Sequence, residues 1–246
     1  MIRPILEVCV SSTETGAMAV EWGADRLELC NALQLGGLTP QLSMLKTLRK
    51  TNAPIGVLVR CRPGHFVYTR SEKDLMLDQA TSFLDAGADF LALGGLTETH
   101  HLDEDFLDQV GRHLETKKLV FHRAFDFVID PLEATTDLAD RGFLRILTSG
   151  ENALRADPIG QLKDLVTQAA NRIGILPCGG IRAHNASNIL KETGATELHA
   201  SCLKKTEHPQ NGMGHLELLD KTALVALRME MDFALPQTRK STLSNL

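Results

Sequence analysis

The sequence predicts a single α/β domain folded as a (β/α)8 barrel of the TIM type, and three observations carry that prediction. The first is size: 246 residues, 43% apolar and 23% charged, suffice for one large buried core. The second is a join that recurs along the chain: WGADRLEL (22–29), AGADFLAL (86–93), RGFLRILT (141–148) and TGATELHA (193–200). Each reads as a helix end closed by a glycine, followed by a β-rich run suited to a buried parallel strand. The third is the number of such runs. ILEVCV (5–10), PIGVLVR (54–60), KLVFHR (118–123) and RIGILP (172–177) bring them to eight. Eight strands in roughly 250 residues match a barrel, whereas a doubly wound sheet usually shows fewer strands or a nucleotide fingerprint. Neither GxGxxG nor GxxxxGK[ST] occurs, so no nucleotide cofactor is expected.

Between the runs lie segments long enough for helices. In 71–87, Leu75, Leu77, Ala80, Phe83 and Leu84 can form an apolar stripe, with Ser71 and Asp74 suited to a cap and a first turn. No linker rich in Pro, Ser or charge divides the chain, so residues 1–246 read as one domain. Residues 202–215 lack apolar periodicity and read as a long loop; a last helix falls within 216–231, and 238–246 form a polar tail.

Strand parity then sorts side chains between the helix layer and the lumen. In the first strand Leu6, Val8 and Val10 suit the helices, which sends Glu7 and Cys9 inward. In the second, Leu27 and Leu29 point out, and Glu28 and Cys30 point in. In the third, Val57 and Val59 face the helices, so Arg60 and Arg62 point inward and Cys61 outward. His122 of the fifth strand and His199 and Ser201 of the eighth also point inward. Nearly all these polar residues fall toward the carboxyl ends of their strands, where barrel active sites are built. Two readings stay open for them. The carboxylates and arginines could form a paired structural network, since an unpartnered buried charge is costly. Cys9 and Cys30 could be small core hydrophobes, or soft donors suited to Cu(I). His100 and His101, in the loop after the fourth strand, read as solvated.

The turns TSGEN (148–152) and PCGGIR (177–182) follow the sixth and seventh strands. Gly179 and Gly180 leave backbone N–H groups available there and Arg182 adds charge, which suits an anion; tight turn geometry is the plainer alternative. None of the inward positions assigned above holds a lysine, which disfavours Schiff-base chemistry.

Composition limits the partners. The 26 basic against 31 acidic residues give a net charge of −5 without a basic run, so neither nucleic acid nor an anionic membrane is expected. No apolar run reaches the roughly 18 residues of a membrane span, and MIRPILEVCV carries no signal-peptide pattern, so a soluble cytoplasmic protein is expected. Five cysteines without CxxC spacing (Cys9, Cys30, Cys61, Cys178 and Cys202) point to reduced thiols.

LEVCV, GADRLELCNALQLGGLTP, RCRPGHFVY, FHRAFD, LTSG and LPCGGIR, in this order over residues 5 to 201, closely resemble the CutC family. The resemblance implies a (β/α)8 barrel, a cytoplasmic location, a homo-oligomer (most often a dimer) and a role in copper homeostasis with Cu(I) binding. It places copper ligands at Cys9 and Cys30, and a polar pocket at Glu7, Glu28, Arg60, Arg62, His122, Arg123, Asp126, Ser149 and His199. Three positions depart from the family pattern: Cys61 stands where proline is common, Cys178 replaces the first of three glycines, and His65 stands where an acidic residue is usual. Two functions therefore follow as expectations. One is copper handling through Cys9 and Cys30. The other is an enzyme for a small anionic molecule, phosphorylated metabolites included: Arg60, Arg62 and Arg123 hold the anion, Glu7 or Glu28 serves as acid or base, and His122 or His199 shuttles the proton.

Overall fold

The computed structural model describes residues 3–151, 157–205 and 217–234. Eight parallel strands form a nearly closed barrel: β1 (Ile5–Val10), β2 (Arg26–Leu29), β3 (Ile55–Leu58), β4 (Phe90–Leu93), β5 (Leu119–Phe121), β6 (Arg145–Thr148), β7 (Gly174–Pro177) and β8 (Glu197–Ala200). They are ordered β7-β6-β5-β4-β3-β2-β1-β8, so the ladder is continuous except at the seam between β7 and β8. Around them run α1 (Thr13–Glu21), α2 (Leu42–Leu48), α3 (Arg70–Asp85), α4 (Glu104–His113), α5 (Pro131–Asp140), α6 (Pro158–Ala169), α7 (Ala183–Thr193) and α8 (Lys221–Phe233). No helix among the described residues is long and apolar enough to cross a membrane.

The recurring join behaves as its sequence requires. Gly23, Gly87, Gly142 and Gly194 all take positive φ, from +76° to +112°, which lets the chain leave a helix and enter the next strand within two or three residues. Two local expectations need correction. α3 is capped by Thr69, in a reciprocal capping box with Glu72, and not by Ser71. Its buried residues are Met76, Ala80 and Phe83, with Leu77 and Leu84 partly buried against the same core, so of the expected stripe only Leu75, which faces solvent, departs. The segment read as one loop after residue 201 includes a strand, β9 (Leu203–Lys205), paired antiparallel with β10 (Glu217–Leu219). Residues 206–216 of that loop, Asn152 and the polar tail lie outside the described residues.

Parity divides the core in two. Leu6, Val8, Val10, Leu27, Leu29, Val57, Leu91, Phe121, Ile146, Ile175 and Leu198 pack between strands and helices, and Cys61 packs half-buried against that layer. Burying each such aliphatic side chain contributes about 1.5–3 kcal/mol. Leu58, Phe90, Ala92, Val120, Leu147, Leu176 and Cys178 join Cys9 and Cys30 inside the barrel.

The lower lumen is plugged by charge. Arg26 bonds Glu7 through Nε and Glu197 through Nη2 at 2.6 Å, and Arg145 Nε reaches Glu197 at 3.2 Å. Both guanidinium groups lie against the Phe90 ring, 5.5 Å and 5.0 Å from its centroid. Gly56, paired with Phe90 across the β3–β4 ladder, makes room for that ring: a Cβ there would fall 2.0 Å from it. With the amino-terminal end of the lumen filled, any ligand must enter from the carboxyl-terminal rim.

Candidate functional site

A cavity of ≈ 280 Å³ opens at that rim. Cys9, Glu28 and His199 line it, and three ligand atoms, one from each, lie within 4.8 Å of one another. The ladder explains the grouping: Cys9 is the register partner of Glu28 on β2, and Glu7, two residues earlier on β1, is the register partner of His199 on β8. Parity then brings all four side chains into the lumen at neighbouring levels.

His199 is the hinge of the cluster. Its Nδ1 lies 2.7 Å from Glu7 Oε1, and its Nε2 lies 3.8 Å from Glu28 Oε2. Burial disfavours an imidazolium, but the Cys9 sulfur and the two carboxylates outweigh it and hold the His199 pKa well above the usual histidine value. Burial would also raise Glu7; Arg26 and then His199 reverse that and hold its carboxyl well below the ordinary range. Among the described residues Glu28 has no direct guanidinium partner, and burial, opposed by His199 and reinforced by Glu7, raises its carboxyl. Two buried carboxylates on adjacent strands are thus pushed in opposite directions.

Cys9 Sγ lies 3.4 Å from Cys30 Sγ. The hydrogen bond between the sulfurs, followed by burial, raises the Cys9 thiol well above its ordinary value, with His199 pulling the other way. Cys30 is fully buried behind Cys9, outside the cavity lining, with its sulfur 3.6 Å from the Val10 carbonyl. Cys178, which follows β7, also lines the cavity and is raised by burial. Cys202 is buried and pushed up to about 11 by burial, which makes it a poor nucleophile.

The cavity walls take the remaining residues. Arg60, His122, Arg123, Gly179, Gly180 and Arg182 line it. Arg60 ties loops together, donating to the carbonyls of Leu35, Gly37 and Gly64, and its guanidinium lies over Phe66. His122 Nδ1 accepts from the Ala124 N–H at 3.3 Å. Burial, then Arg60, lowers its pKa to about 3, so the ring is neutral. Arg123 Nε donates to Asp126.

Several expected pocket residues lie elsewhere. Glu7 sits beneath the floor, held by Arg26 and His199. Arg62 does not point into the lumen. β3 ends at Leu58, so strand parity no longer governs residue 62, and its guanidinium pairs with Glu72, donates to the carbonyls of His65 and Val67 and lies over Tyr68. Asp126 and Ser149 stand behind the lining: the Asp126 carboxylate accepts from Thr148 Oγ1 (2.7 Å), Ser149 N (2.9 Å), Ser149 Oγ (2.9 Å) and Arg123 Nε (2.8 Å), and so fixes the turn after β6. His100 and His101 are exposed in the loop after β4. The lower network of Arg26, Arg145 and Glu197 escaped the sequence reading, although each shares its strand parity with an inward residue: Glu28, Leu147 and His199.

Comparison with known proteins agrees with this architecture. The CutC family model matches residues 4–204. A CutC family protein of Treponema denticola is 40% identical over 205 residues, 83% of each chain. The human copper homeostasis protein cutC homolog is 38% identical over 198 residues, covering 80% of this chain and 72% of its own. The crystal structure of CutC from Streptococcus agalactiae, 31% identical, superposes with a TM-score of 0.73 over 80% of this chain and 97% of that chain. The phosphoribosylanthranilate isomerase of Pyrococcus furiosus, at 14% identity and a TM-score of 0.54, covers 94% of this chain and 99% of its own, and shares the fold alone. With most of its length matched by the family model and by these relatives, the chain belongs to the CutC family.

Proposed function

We propose that this protein serves copper homeostasis by holding one Cu(I) ion as cargo at the floor of the rim cavity. The observation that carries the reading is the Cys9–Cys30 pair, two sulfurs 3.4 Å apart with His199 beside Cys9. Two thiolates and an imidazole form a soft donor set suited to Cu(I). Cys9 faces the cavity and receives the ion, Cys30 backs it from the core, and Glu7 orients His199. Loading displaces the thiol protons and also the Nε2 proton of His199, whose surroundings favour the charged ring in the empty site, so affinity rises with pH. The human relative, a copper homeostasis protein cutC homolog by name, supports the same role. Anaerobic Cu(I) titration against a competing chelator tests it. One equivalent is expected for the wild type and none for a Cys9→Ala, Cys30→Ala variant; unchanged affinity in that variant sinks the reading. Cytoplasmic residence and a homodimeric assembly belong to the same proposal, tested by cell fractionation and by sedimentation.

A second reading, catalysis on a small anionic molecule, is favoured by Glu28 and His199. A carboxyl raised by burial faces an imidazole whose pKa is also raised, a pairing suited to moving a proton. Substrate turnover that disappears in Glu28→Gln, in protein that remains folded, is its test.

A further inference from the structure

The cavity above the thiol pair contains donors that a Cu(I) site does not use. His122 is 2% exposed and lines the cavity, and among the described residues its Nε2 has no hydrogen-bond partner. Because Nδ1 accepts from Ala124, the ring proton sits on Nε2, which makes this atom a buried N–H donor lacking an acceptor. Such a group costs free energy until an acceptor fills the space.

A second set of donors lies along the cavity wall after β7. Gly179 and Gly180 both have positive φ, +76° and +73°, and a Cβ on Gly180 would meet nothing within 4 Å. Among the described residues, the backbone N–H groups of Gly179, Gly180 and Ile181 have no acceptor, whereas that of Arg182 bonds Asn185. These three consecutive donors precede α7 directly. Arg182 forms no ion pair among the described residues and uses one N–H on the Ile181 carbonyl. The guanidinium of Arg123 lies 3.9 Å from where a Gly179 Cβ would stand. Three backbone donors with two guanidinium groups match the three terminal oxygens of a phosphate better than the two of a carboxylate.

We propose that the cavity binds a small phosphate monoester, with its phosphate on the Gly179–Ile181 turn, Arg182 and Arg123, and an oxygen elsewhere in the molecule accepting from His122 Nε2. The site is independent of the copper reading. It deepens the catalytic reading by naming a ligand class, and it requires binding alone, so turnover need not be seen.

Calorimetry on metal-free protein tests it with three probes: glycerol 3-phosphate, inorganic phosphate and glycerate. Glycerol 3-phosphate is expected to bind saturably. His122→Phe weakens it about fivefold, the ordinary effect of one neutral hydrogen bond, and His122→Gln, which restores an N–H donor, recovers part of the loss. Arg182→Ala, a change at an exposed residue, weakens both phosphates about tenfold. Inorganic phosphate, too small to reach both ends, is indifferent to His122→Phe. Absence of saturable binding by either phosphate, or binding unaffected by Arg182→Ala and His122→Phe, overturns the proposal. Glycerate binding as tightly as glycerol 3-phosphate overturns the choice of phosphate. Because copper is absent, none of these results bears on the Cys9–Cys30 site.

Discussion

The two ends of the lumen both contain buried charge but differ in how fully it is satisfied. At the amino-terminal end, Glu7, Arg26, Glu197 and Arg145 pair with one another around Phe90, and among the described residues Arg145 Nη1 is the one fully buried side-chain atom of the four without a hydrogen-bond partner. At the carboxyl-terminal end, among the described residues, Glu28 has no guanidinium on it and His122 Nε2 has no acceptor. Charge inside a barrel is therefore not itself a sign of function. The satisfied network closes the barrel, and the unsatisfied groups above it mark where a ligand belongs.

Breaking the lower network should have the largest effect. Arg26→Met leaves Glu7 and Glu197 buried without their main counter-charge and should cost about 3–5 kcal/mol in urea unfolding. Gly56→Ala attacks the plug sterically. Its Cβ meets a Phe90 ring that both guanidinium groups lie against, and a loss of about 1–3 kcal/mol is expected in the same assay. Acid separates the two ends. His122 is neutral with a folded pKa of about 3, against roughly 6.5 unfolded, so its contribution is complete above pH ~6.5 and is lost as pH falls toward 3. Glu7, depressed in the fold, contributes fully above the unfolded carboxylate value of roughly 4.3 and loses that contribution only as pH falls through its lower folded value. Stability measured against pH should therefore decline first on account of His122, and His122→Phe should flatten the slope between pH ~6.5 and ~4.5. The smallest change is expected of Glu28→Gln. Its carboxyl is already pushed toward the neutral form, so unfolding free energy should stay within about 1 kcal/mol of wild type.

Much of this contrast was legible from alternation alone. Glu7, Cys9, Glu28, Cys30, His122 and His199 all face inward as period-two parity requires, because each sits in or next to a regular strand buried on its other face. Arg62 shows where the rule stops: once β3 ends at Leu58, hydrogen bonds to loop carbonyls and the pull of Glu72 on α3 decide its direction. Arg26, Arg145 and Glu197 were hidden for another reason. They open their strands, where a charged residue looks like part of the preceding turn, and their mutual pairing depends on strands β2, β6 and β8 meeting across the lumen. Asp126 and Ser149 belong to the family pattern, but Asp126 accepts from Ser149, Thr148 and Arg123, a relation that sequence order does not reveal. The orphan nitrogen of His122 could not be foreseen either, since parity gives a direction and says nothing of whether an acceptor waits there.

The Phe90 plug also imposes an order of events. A lumen sealed at one end is a blind cup with a single mouth, so whatever reaches Cys9 passes between Arg123, Arg182 and His122 on the way in and again on the way out. Two occupants of such a cup cannot exchange independently. The deeper one enters first and leaves last, and the residence time of the molecule at the mouth becomes the clock for release from the floor.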